Sequence, residues 1–296
     1  MPAIAPDIGT RSLAGSLALR AVADGDGMTR LVEIERRPPM QVQRPLYLDA
    51  AHPGLATVHL INATAGLFSG DDLGLRIDVC NGARLAVGTP AMTRVYTMPD
   101  GGTATSRVDL RVGAGGYLEH LPAPTILCRE AALLQEMHID LAQDAHVAIG
   151  EAWAFGRAAH GELHAYRELH ARTELRRAGS LVLADALVLG PLLDSPGPLV
   201  GCYAAYGTLT LTGPRVDAAL LAGIRRLLDE RASPILAGAS TLARDGGIGV
   251  RVLGASANSV QTTLIDLMSE FRGYVLDAER SPITADRTDH ACGGVQ

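Results

Sequence analysis

The chain contains no lysine: all 26 of its cationic residues are arginine. That excludes Schiff-base chemistry, which needs an ε-amine, and the lysine of a Walker phosphate loop. Aromatic residues are scarce, at 4% with a single Trp, leaving few rings to stack on sugars. The four cysteines, Cys80, Cys128, Cys202 and Cys292, form no C-x-x-C pair. That spacing predicts reduced, mostly buried thiols in a cytosolic protein. No apolar run reaches the ~18 residues of a membrane span, and Met1–Gly27 lacks the basic start and apolar stretch of a signal peptide. A soluble, cytoplasmic protein is expected. The net charge of -6 offers no basic face to nucleic acid.

What is abundant is small and aliphatic. Apolar residues make up 47% of the chain and there are 33 glycines. Such a core suits many short strands and tight turns better than large packed helices. Four segments share one pattern: Ile77–Leu85, Leu110–Leu118, Ile139–Val147 and Thr173–Leu181. Each alternates apolar and polar residues, breaks at two or three turn formers, and resumes alternation. The third positions, Val79, Val112, Leu141 and Leu175, recur about every 30 residues. Alternation marks strands with one buried face. A recurring strand unit of this length marks coiled strands, each turn burying its apolar face on the next. The prediction is a mainly β protein: a layered β-helix or strand solenoid over residues 28–212 and 232–254.

Helical spacing appears after Thr212. Residues 216–231 and 256–274 are each predicted to form an amphipathic helix, the second capped by Ser256 or Asn258. Residues 277–296 read as a loose tail. No linker separates these parts, so residues 1–296 are expected to form a single domain.

Candidate sites are modest. Ile61–Asp72 holds Gly66, Gly70 and paired carboxylates, but the carboxylates would repel phosphate and the EF-hand spacing is absent. A turn between strands fits best, with Asp71 and Asp72 either capping backbone N–H groups or offered to a metal. His160-Gly-Glu-Leu-His164 is not the zinc-protease motif, because its Glu stands one place late. On a strand, His160, Glu162 and His164 would share one face. Glu119 and His120 precede a proline-stiffened corner, and Arg94, Tyr96, Trp153 and Arg157 have the composition of an interface or a paired core. No G-x-S-x-G or G-x-G-x-x-G pattern is present.

Four of these stretches stand in a telling order: Ile61–Asp71, Thr89–Tyr96, Leu118–Leu127, and Glu151–Arg157 with Gly161 and Glu162. Together, across roughly residues 30–275, the chain resembles the UreD (UreH) family of urease accessory proteins. The resemblance implies a β-helical scaffold that performs no catalysis. It implies binding to apo-urease and to the helical accessory protein UreF, which recruits the nickel-carrying GTPase UreG. It implies no tightly bound cofactor, only Ni²⁺ in transit. On that footing Asp71, Asp72, Glu119 and Glu151, with His120 as helper, are expected to line a passage that holds nickel weakly. The two C-terminal helices are expected to supply much of the docking face for the helical partner. The competing reading is a β-helical carbohydrate-active hydrolase or lyase using paired carboxylates.

Overall fold

The computed structural model describes residues 12–190, 201–231 and 235–280. In chain order the strands are β1 (Ala14–Ala23), β2 (Thr29–Arg37), β3 (Met40–Val42), β4 (Leu55–Asn62), β5 (Asp72–Val79), β6 (Arg84–Gly88), β7 (Thr93–Val95), β8 (Ala104–Val112) and β9 (Tyr117–Leu121). There follow β10 (Thr125–Leu127), β11 (Ala132–Leu141), β12 (His146–Ala154), β13 (Glu168–Arg177), β14 (Ser180–Leu189) and β15 (Ala205–Thr212). Helix α1 (Ala218–Asp229), β16 (Ile235–Thr241), β17 (Ile248–Gly254) and helix α2 (Ala257–Arg280) complete the described chain.

The chain coils. From β4 to β13 it passes back and forth between two sheets, and each strand lands parallel to the one a coil earlier. The first sheet runs β14-β13-β11-β8-β5-β1-β2 and the second β16-β17-β15-β12-β9-β6-β4-β3. A short third side joins β7, β10 and the end of β12. Antiparallel pairs close both ends of the two sheets. This is the layered β-helix with two helices that the repeat predicted.

Alternation sets which side chains enter the coil. In β5, Leu73, Leu75, Ile77 and Val79 are buried between the sheets, while Asp72, Gly74, Arg76 and Asp78 point outward. Val79, Val112 and Leu141 stack in register, as do Leu85, Leu118 and Val147. The fourth unit departs from the repeat. Leu175 lies opposite Ile139, two places from the spacing read in the sequence. Ala178 and Gly179 then take φ of 46° and 80°, so Arg177 faces Ser180 across a two-residue hairpin. Left-handed dihedrals at both central residues reverse the chain instead of carrying it round a corner.

The second sheet is buried on both faces. Leu118, Val147 and Ile149 face the coil interior, whereas Tyr117, Ala148, Leu209 and Val250 face the helices. Helix α2 contributes Val260, Leu264, Leu267, Phe271 and Val275, none more than 0% exposed. Burying each such side chain is worth about 1.5–3 kcal/mol. Helix α1 is capped by Asp217, whose Oδ1 accepts from the N–H groups of Ala219 and Leu220 at 3.0 Å each.

Two expectations about these helices change. Their apolar faces close the second sheet, and Ile265 is the one large apolar side chain that their described residues leave exposed. They therefore offer no free apolar face to a helical partner. Residues 277–280, expected in the tail, extend α2 to Arg280; the rest of the expected tail, like 191–200 and 232–234, lies outside the described residues. Strand β1 has the same alternation, with Leu17, Leu19 and Ala21 inward, in a stretch the sequence reading gave to no element.

Candidate functional site

The Ile61–Asp72 stretch is the crossing from the second sheet to the first, along the third side. Gly66 has φ of 156°, and a Cβ there would lie 2.2 Å from the Arg94 carbonyl oxygen. Only glycine permits that approach. Leu67 then bridges to Val95, and Phe68 stacks on Tyr96 with ring centroids 4.8 Å apart. Asp71 is buried, and its two carboxylate oxygens accept from the Leu13 and Phe68 N–H groups at 2.9 Å each. It is a backbone cap. Asp72 is exposed and accepts from the Thr105 hydroxyl at 2.6 Å.

The third side gathers most of the expected interface set. Arg94 and Met92 are exposed there beside the Phe68–Tyr96 stack. Arg157 forms a two-point ion pair with Glu162, at 2.7 and 2.6 Å. Trp153 does not belong with them: it is 2% exposed and packs in the inner core, because its place on β12 has inward parity. The His160–His164 stretch is no strand. A short 3₁₀ turn, Ala158–His160, leads into a loop in which Glu162 is held by Arg157 and His164, at φ 58°, packs against Phe155.

Glu119 and His120 point to opposite faces of β9. Glu119 faces α2, 3% exposed, and accepts from Arg272 Nε at 2.7 Å, Arg272 Nη2 at 2.6 Å and the Tyr117 hydroxyl at 2.5 Å. The Glu119 carboxylate raises the Arg272 guanidinium, and burial drives the Tyr117 phenol well above its ordinary range. Asp49 joins Arg272 at 3.4 Å, and His52 sits between Asp49 and Asp277 at 3.0 Å from each. This ionic network fastens the end of α2. His120 faces inward, and burial lowers its imidazole to about 4. Its Nδ1 has no hydrogen-bond partner.

Glu151 faces the interior of the coil, on the same inner face as His120 and on the neighbouring strand. Burial pushes its carboxyl up to about 7; the Gln135 amide opposes that push, and the charge of Asp185 adds to it. Thr173 and Arg251 complete its surroundings. Arg251 on β17 and Asp185 on β14 meet at 2.5 Å, joining the two sheets at the open flank of the coil. Their side chains are 39% and 34% exposed, so a polar row leads from solvent to Glu151. Sequence reading selected Glu151 but missed Gln135, Thr173, Asp185 and Arg251. Asp185 and Arg251 lie 66 residues apart, and nothing local signals their meeting. Among the described residues, no three His, Cys, Asp or Glu side chains converge as a metal cage, so the five expected nickel contacts do not form one cluster.

A sequence profile described as UreD urease accessory protein matches residues 13–285. The chain belongs to the UreD family. The Urease accessory protein UreD of Mycolicibacterium gilvum is 30% identical over 263 residues, covering 88% of this chain and 95% of its own length. That of Haloarcula marismortui is 31% identical over 277 residues, covering 92% and 90%. That of Sorangium cellulosum is 33% identical over 264 residues, covering 89% and 81%. In this UreD chain the motif residues divide by role: Gly66 and Asp71 shape the frame, Glu119 fastens a helix, and Glu151 is offered to the interior. No described helix is long and apolar enough to cross a membrane.

The capping role of Asp71 has a direct test. Asp71→Ala strands two backbone donors and is expected to cost about 1–2 kcal/mol. Thermal melting checks it; an unchanged midpoint would mean that the carboxylate is not a cap.

Proposed function

We propose that this protein is a urease maturation factor that makes and breaks no bonds itself. It holds apo-urease and UreF, through which UreG is brought in, and it lets Ni²⁺ pass toward the urease active site in the cytoplasm. The observation that carries this reading is the family match across residues 13–285. It favours maturation over a carbohydrate hydrolase or lyase.

Glu151 suits a passing cation. A carboxyl that titrates near 7 exchanges a proton for a metal ion at little cost and releases the ion as readily. Asp185 offers a second oxygen donor on the approach, and His120 presents a neutral imidazole further along the same inner face. Asp72 stands on the outer surface as an exposed carboxylate for first capture. Asp71 and Glu119 support the passage as frame, since their oxygens are already engaged. The third side, with Phe68, Met92, Arg94, Tyr96 and the Arg157–Glu162 pair, provides a protein-docking face of aromatic and arginine character.

The test is co-expression of the urease genes with and without this chain, followed by urease activity and nickel content. Loss of both without the chain is expected. Full activation and full nickel loading in its absence would end the proposal.

A further inference from the structure

Where the coil ends away from β2, an ion pair spans the two sheets. Glu151 on β12, Thr208 on β15 and Arg251 on β17 stand side by side in one row of the second sheet. Their chain neighbours Ala152, Leu209 and Val250 face the helices, so these three face the coil interior. Neighbouring strands lie about 4.8 Å apart, which puts the Arg251 backbone roughly 10 Å from that of Glu151. On the opposing sheet Thr173 stands beside Asp185, and the Gln135 amide reaches across to Glu151. Tyr206 closes the group: burial pushes its phenol up to about 12, and the charges of Arg251, Asp185 and Glu151 act on it as well.

Among these oxygen-bearing side chains Arg251 is the cation, and a guanidinium does not lose its proton. Its Nη2 donates to Asp185 Oδ2 at 2.5 Å and its Nη1 to the Val250 carbonyl at 3.2 Å. Burial dominates at Glu151, but both charges are felt there: Asp185 raises its carboxyl and Arg251 lowers it. Without Arg251, two carboxylates with hydroxyl and amide oxygens between them would hold a divalent cation firmly. With it, an ion can take Asp185 only by displacing a charge-assisted hydrogen bond, and it then sits beside a fixed positive charge. The pair is part exposed, so water receives the displaced guanidinium and the exchange stays reversible.

We infer that Arg251 keeps the passage weak. By holding Asp185 it prevents Asp185 and Glu151 from closing together on Ni²⁺, so that the ion is handed past Glu151 instead of being kept there. The inference rests on the maturation reading, in which Glu151 is a waypoint, and assigns the residue that sets how firmly the ion is held.

Equilibrium dialysis of the tag-free full chain against Ni²⁺ measures affinity, and transfer of the ion to a coloured chelator in stopped flow measures release. Arg251→Gln removes the charge and keeps a donor for Asp185. It is expected to bind Ni²⁺ at least roughly tenfold more tightly than the parent and to release it correspondingly more slowly. Arg251→Lys should bind like the parent, because the contact with Asp185 is single-point and the charge remains. Adding Glu151→Gln or Asp185→Asn to Arg251→Gln should abolish the gain. Arg251→Met, which fills the space without charge, serves in place of a glutamine variant that does not fold. An uncharged variant that binds and releases Ni²⁺ like the parent would overturn the inference, and the waypoint would still stand if Glu151→Gln alone weakens binding. A gain that survives Glu151→Gln would put the tighter site elsewhere and overturn it too. Nickel binding indifferent to Arg251 and Glu151 alike would remove the waypoint as well.

Discussion

Arg272→Ala is expected to destabilise the protein by about 3 kcal/mol and to abolish urease activation by unfolding. The substitution leaves the Glu119 carboxylate, 3% exposed, between β9 and α2 with no cation to balance it. Breaking a buried pair costs about 3–5 kcal/mol, and the low end applies because the Arg272 side chain keeps 28% of its surface in water. Removing both charges is a different experiment. Glu119→Leu with Arg272→Leu should recover most of the loss, since a well-packed apolar pair replaces an ionic one at little net cost. Thermal unfolding of the three proteins decides it. A double variant as unstable as Arg272→Ala would show that the pair is not what fastens the helix. Glu119→Ala with normal melting but no activation would return Glu119 to the ion passage.

Glu151→Gln is expected to act in opposite directions on stability and on function. The carboxyl titrates at about 7 in the folded protein, against an ordinary 4.5. The folded state therefore holds its proton longer than the unfolded state, so this group lowers stability as pH rises from 4.5 through 7. At pH 8 the full penalty applies, up to about 3 kcal/mol for a shift of this size. Glutamine removes the ionisation, keeps the shape and still meets Gln135. The variant should thus melt alongside the parent below about pH 4.5 and increasingly above it as pH rises to 8. Urease activation in cells should fall at least roughly tenfold if the carboxylate is a waypoint for nickel. A variant that melts higher and activates fully would separate Glu151 from the ion's route. A variant with no pH-dependent gain would refute the raised carboxyl itself.

Much of the architecture could be read directly from the alternation. Val79, Val112 and Leu141 recur at a coil's spacing because each fills the same place on the next layer, and they do stack. The fourth unit misled because Arg-Arg-Ala-Gly reads as a tight connection either way. Whether such a turn rounds a corner or doubles back depends on two dihedrals that the residue types only bias. Strands β7 and β10 are three residues long, too short for a period to show. The helices were legible as helices, but their apolar faces said nothing of what they would cover; the outer face of the second sheet, with Tyr117, Leu209 and Val250, reads as apolar only once both its sides are known to be buried. The site was legible one residue at a time and not as a constellation. Glu119 needs Arg272, 153 residues away, and Glu151 needs Asp185 and Gln135 across the coil. Distance along the chain hides such pairs from any local pattern.

Because α2 covers the second sheet and follows every strand in chain order, order of synthesis matters to this protein. The coil from β4 to β13 can assemble on the ribosome while Tyr117 and Ala148 still face water. Their cover, Val260 to Leu276, emerges after every strand of the coil. Each newly made molecule therefore passes through a stage with a large sticky flank on show, and the yield of native protein turns on how soon α2, or a chaperone standing in for it, reaches that flank.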